Sequence, residues 1–74
     1  MELPIELSDK ASEFPETYYG ATIVTLVLRN SQKINNVTLA WGTEIVKIDD
    51  IPINEVQEIG FQQKDIIDVL QSKV

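Results

Sequence analysis

The chain contains no cysteine and no histidine. Without cysteine there is no disulfide framework and no thiol nucleophile, and thiol usage says nothing about redox compartment. Without histidine, a Ser-His-Asp triad and an ordinary zinc site are excluded as well. Glycine is scarce and scattered, at positions 20, 42 and 60, so no glycine-rich loop can cradle a phosphate. Proline is equally scarce, and a chain with so little of either is not disordered throughout. No apolar run approaches the ~20 residues of a membrane span. Met1-Glu2-Leu3-Pro4 opens on an acid where a secretory signal opens on a base. These absences predict a cytoplasmic, non-catalytic chain with no cofactor, no metal and no membrane association. In that setting the sequon Asn36-Val37-Thr38 is a coincidence.

What is present describes one small domain. The 74 residues are 43% hydrophobic, enough for a single core over residues 1–74. A domain of this size buries only about 60% of its unfolded surface and commonly needs a staple. Neither a disulfide nor a metal is on offer, which leaves tight packing or a homo-oligomer. The net charge is −6, distributed as −4 over residues 1–20, +2 over residues 21–41 and −4 over residues 42–74. Nucleic-acid binding draws most of its affinity from neutralised phosphates, so an acidic chain is a poor candidate for it. An acidic surface keeps a small domain soluble, and it also suits a basic partner.

Residues 2–8 alternate, with Leu3, Ile5 and Leu7 on one face, which is the period of a half-buried strand. Pro4 confines that strand to an edge. Residues 9–20 form a polar loop anchored by Phe14, Tyr18 and Tyr19, with one tyrosine packed and the other exposed. Residues 21–28 are almost wholly apolar or β-branched on both faces, which predicts a central strand. Arg29-Asn30-Ser31-Gln32 is turn chemistry. Residues 33–41 resume a strand in which Val37, Leu39 and Trp41 alternate with Asn36, Thr38 and Ala40. Ile34 breaks that parity, so a bulge is expected near Asn35-Asn36. Gly42-Thr43 reads as a tight turn with glycine first. Residues 44–49 form a third strand, with Val46 and Ile48 on one face and Ile45 on the other. The domain thus divides into an N-terminal edge strand and loop (1–20), a three-stranded meander (21–49), and a connector with a last strand (50–74). The connector has room for a short strand at residues 56–59.

The segment "FQQKDIIDVLQSKV" is ambiguous. Ile66, Val69, Leu70 and Lys73 fit a helical stripe. A single turn at residues 62–65 followed by a strand at residues 66–70 fits too, and the β-branched Ile66, Ile67 and Val69 favour it. Carboxylate pairs are the remaining chemical option, at Asp49-Asp50 and at Asp65 with Asp68. Adjacent residues on a strand point to opposite faces, so Asp49-Asp50 reads as a solvated turn. Asp65 reads as a cap.

The stretches "IVTLVLRNSQKINNVTLAW", "TEIVKIDD" and "DIIDVL" together resemble small, bent β-barrels of the SH3-like and Sm-like type. The "YYG…VTLxL" opening and the "DIxDV" ending are similar to small bacterial proteins of unknown function. The resemblance implies a mainly all-β fold. It would be a small bent antiparallel sheet or SH3-like barrel of about five strands, with room for a short C-terminal helix. Such folds host many functions, so function must be argued from a site. The chain lacks a basic final-strand motif, which separates it from RNA-binding Sm proteins. The leading expectation is a module that binds another protein or itself, for instance as an immunity protein does with a basic target. A nucleic-acid-binding barrel and an accessory domain of an enzyme are the alternatives. Residues expected at an interface are Tyr18, Tyr19 and Trp41 as exposed aromatics, with Trp41 read first as a core lid and second as an interface residue. Arg29 and Lys33 form the one locally basic hairpin tip, and Glu55 and Glu58 lie in an acidic connector.

Overall fold

The computed structural model describes residues 1–41 and 43–71. The chain is mainly β, with one antiparallel five-stranded sheet and one short helix. The strands are β1 (Ala21–Leu28), β2 (Lys33–Ala40), β3 (Glu44–Ile48), β4 (Ile51–Pro52) and β5 (Ile66–Gln71). They lie in the order β4-β3-β2-β1-β5, so the last strand returns to pair with the first.

β1 is central, as its apolar composition predicts, but only one of its faces is closed. Val24, Leu26 and Leu28 are buried, whereas Ile23, Thr25 and Val27 are half-buried. The core is completed by Val37, Leu39, Ile45, Phe61, Ile66 and Val69. Each fully buried aliphatic side chain of this kind contributes about 1.5–3 kcal/mol.

Three bulges decide which residues face that core, and the one between the pairs Val27↔Asp68 and Leu28↔Ile66 leaves Ile67 as the extra residue of β5. Between the pairs Val24↔Val37 and Leu26↔Ile34, Thr25 alone opposes both Asn35 and Asn36. Asn36 takes φ 57° there, a left-handed conformation that asparagine tolerates, and the bulge falls at Asn35-Asn36 as expected. The bulge between β2 and β3 corrects the reading of the third strand. Leu39 pairs with Ile45 and Thr38 with Lys47, which leaves Val46 as the extra residue. Ile45 and Ile48 therefore both turn to the core side, with Ile48 packed at its margin.

The N-terminus departs most from its expectation. Only the first residues extend along the sheet. The Ile45 amide donates to the Met1 carbonyl and the Leu3 amide to the Thr43 carbonyl, both at 2.8 Å. Pro4 then ends the pairing and leads into the helix α1 (Ile5–Ala11). Proline supplies no ladder donor, and its fixed φ suits a helix start. Leu3, Leu7 and Ala11 share the inner side at helical spacing, while Ile5 is 77% exposed. The segment starts on the outer edge of β3 and ends beside β5, where the Lys10 ammonium donates to the Asp68 carboxylate at 2.7 Å. It thereby runs from the β3 side of the sheet to the β5 side.

Residues 56–59 form no strand; the connector holds a 3₁₀ turn at Ile53–Glu55 instead. The described part of the final segment is a 3₁₀ turn at Gln63–Asp65 followed by a strand, and Lys73 of the helical stripe lies outside the described residues. Asp65 caps that turn by accepting from the Gln62 amide at 2.9 Å. Among the described residues the one short α-helix is N-terminal, not C-terminal. Asp49 and Asp50 are the two central residues of the β3–β4 hairpin. Both have positive φ, 55° and 66°, as a type I′ turn requires. Among the described residues no helix is long and apolar enough to cross a membrane.

Candidate interaction surface

The loop before β1 is built to expose its aromatic residues. Tyr18 bridges to Ala21, and the Ala21 amide donates to the Tyr18 carbonyl at 2.9 Å. Tyr19 and Gly20 are thus the central pair of a tight turn. Gly20 has φ +74°, the conformation that the third residue of a type II turn adopts. The turn is braced by the Gly20 amide, which donates to the Glu16 carboxylate at 2.8 Å. The Ile23 amide donates to the Thr17 hydroxyl at 3.2 Å. Tyr19 is left 96% exposed and Tyr18 64% exposed. The expectation that one of the two packs inside is corrected: neither does, because the turn places both on its rim.

Trp41 comes to the same end of the sheet from the other strand. The alternation of β2 stops at Ala40, and Trp41 takes φ 56°. The Thr43 amide donates back to the Ala40 carbonyl at 3.2 Å, which makes Trp41, rather than Gly42, the first central residue of the β2–β3 turn. The expected role of Gly42 itself lies outside the described residues. The left-handed φ swings the indole off the core face. It is 72% exposed, so the reading of Trp41 as a core lid is corrected. Its ring is nevertheless held in place. The Trp41 amide donates to the Gly20 carbonyl at 3.0 Å, and the indole lies against the Gly20 α-carbon. Tyr19 meets it edge-on, with ring centroids 6.2 Å apart and planes at 81°.

A shallow cavity of about 130 Å³ opens beside the indole. Trp41 and Phe14 line it, together with Glu16, Gly20 and Thr22. Phe14 and Glu16 come from the loop, and Thr22 from the start of β1. The sequence offered Glu16 only as one acid, with Glu13, of a segment suited to a basic partner, and it did not single out Thr22. The one available signal was the spacing of Glu16 and Gly20 around a tight turn.

The charged candidates lie at the opposite end of β1. The hairpin tip closes through the Ser31 amide on the Leu28 carbonyl at 2.9 Å and the Leu28 amide on the Gln32 carbonyl at 2.8 Å. Arg29 does not project freely from it. Its guanidinium donates to the Lys64 carbonyl at 2.8 Å, tying the tip to the turn before β5. Lys33 is exposed and pairs in the ladder with Val27. Glu55 and Glu58 are exposed as well. Glu58 lines a cleft with Gln32 and Leu28, so the acidic connector runs beside the hairpin tip. Basic and acidic candidates therefore meet at one end of the molecule, and the aromatic candidates at the other.

Asp68 is the one titratable group clearly perturbed among the described residues. The hydrogen bond from Lys10 is the main reason its carboxyl sits below the usual carboxylate range, and the Val69 amide adds to the effect. Both contacts are structural. No protein-family model matches this chain, and neither a curated protein sequence nor a solved structure matches it.

Proposed function

We propose that this chain is a non-catalytic protein-interaction module whose contact surface is the end carrying Tyr18, Tyr19 and Trp41. The observation that carries the reading is the concentration of three large, exposed aromatic side chains in two adjoining turns. Aromatic side chains of this size bury much apolar area at small entropic cost, and they dominate binding energy at interfaces. Here the indole is seated in advance. Gly20 supports it and Tyr19 abuts it, so less ordering remains to be done on binding. The non-catalytic character rests on the absence of histidine and cysteine. The return of β5 to β1 supports the further reading of the sheet as SH3-like in type.

The test compares proteins captured from a host lysate by the native chain and by a Tyr19→Ser, Trp41→Ser double variant of matched circular dichroism. The expected result is a partner retained by the native chain and lost from the variant. Equal capture by both refutes this contact surface. Sedimentation of the purified chain distinguishes a second copy of itself from a foreign partner. Capture that disappears on nuclease treatment would favour the nucleic-acid alternative.

A further inference from the structure

The cavity beside Trp41 has the chemistry of a receptor for one cationic side chain. We infer that it takes an arginine from an extended basic segment of the partner protein. The inference rests on the reading of this end as a contact surface, and it names what that surface selects.

Three features converge on a cation. The first is the pair of aromatic residues lining the cavity, Phe14 and Trp41. Indole is the strongest of the natural π-faces for a cation, and the apolar stem of an arginine packs on the same surfaces. The second is Glu16, a lining residue of the same cavity whose carboxylate is bonded to the amide of Gly20, another lining residue. One of its oxygens accepts from the Gly20 amide at 2.8 Å, which orients the group and leaves acceptor capacity on the other. A guanidinium offers a planar fork of donors that can stack on a ring and bond a carboxylate at once, and an ammonium cannot do both in one plane.

The third feature is the charge around the cavity. Residues 12–20 contain Glu13 and Glu16 and no basic residue, and residues 40–46 contain Glu44 and no basic residue. Lys10, on the helix that precedes the loop, is committed to Asp68 at 2.7 Å. No cation of these segments competes for the site, and the net charge of −6 steers a basic segment toward it.

Trp41 is the chain's only tryptophan, so the site reports on itself. The experiment titrates the full chain with peptides of one Gly-Ser background carrying Arg, Lys, Gln or Glu at the same positions. Indole emission is followed, with calorimetry as a second readout. The Arg peptide is expected to bind saturably, about tenfold more tightly than the Gln peptide. The Glu peptide should bind least, and added salt should weaken the Arg complex. Glu16→Gln keeps an oxygen acceptor for the Gly20 amide but removes the charge. It should weaken the Arg peptide at least fivefold without altering the circular dichroism. Equal affinity for the Arg and Gln peptides would overturn the inference while leaving an aromatic contact surface intact. So would indifference of the Arg peptide to Glu16→Gln, or the absence of saturable binding by both readouts.

Discussion

Trp41 and Gly20 hold each other in place: the Trp41 amide donates to the Gly20 carbonyl at 3.0 Å, and the indole covers the Gly20 α-carbon. A β-carbon at position 20 would lie 3.0 Å from one ring atom and 3.1 Å from the next. It would also sit at φ +74°, where a side chain is strained. Gly20→Ala is therefore expected to cost about 1–2 kcal/mol. For a domain of this size that lowers Tm by about 4–8 °C per kcal/mol. The same change should move the indole emission, because the ring must leave its seat. A variant with native Tm and native emission would show that the ring does not rest there in solution.

Lys10 and Asp68 lie 58 positions apart and close the helix onto the last strand. Lys10→Met removes the main cause of the depressed Asp68 titration, so NMR titration of the Asp68 carboxyl should return toward its ordinary range. A lowered native pKa contributes stability above the unfolded value of about 3.9. That contribution is lost as pH falls through the lowered native value. The native chain should thus lose more stability than the variant on acidification below about pH 4. Both side chains are more than two-fifths exposed, so solvent screening limits the difference to at most about 1 kcal/mol. Parallel stability-against-pH curves for the two chains would contradict the pairing.

The two faces of β1 predict a sharp contrast between neighbours. Leu26 is fully buried and Val27 half-buried. Leu26→Ala should cost about 2–5 kcal/mol, enough to unfold much of so small a domain. Val27→Ala should cost less than about 1 kcal/mol. Denaturant unfolding of the two variants measures the contrast, and a comparable loss from both would mean that the second face is covered in solution.

Ser31, with φ 72°, and Asp50, with φ 66°, are left-handed turn residues that are not glycine. Glycine adopts that conformation without a steric penalty. Ser31→Gly and Asp50→Gly are each expected to raise stability by about 0.5–1 kcal/mol, read from the denaturation midpoint at unchanged slope. A loss of stability in either variant would assign that side chain a contact worth more than the strain.

The meander was legible in the chain itself because its signals are local. β-Branched alternation marks β1 and β2, Arg29 to Gln32 is turn chemistry, and the break of parity at Ile34 marks the bulge at Asn35-Asn36. The strand at Ile66–Gln71 was legible for the same reason, since Ile66, Ile67 and Val69 resist a helix. Residues 5–11 were not. Leu3, Ile5 and Leu7 satisfy the strand period, and Leu3, Leu7 and Ala11 satisfy the helical one. Only docking beside β5, with Lys10 on Asp68, selects the helix. Tertiary structure alone also placed Val46 as the extra residue of a bulge, since register depends on the partner strand. The candidate site divides along the same line. Composition identified Tyr18, Tyr19 and Trp41 as the residues to watch. It could not join Glu16 and Thr22 to Trp41, because that cavity exists only where a loop and two turns from different parts of the chain pack together.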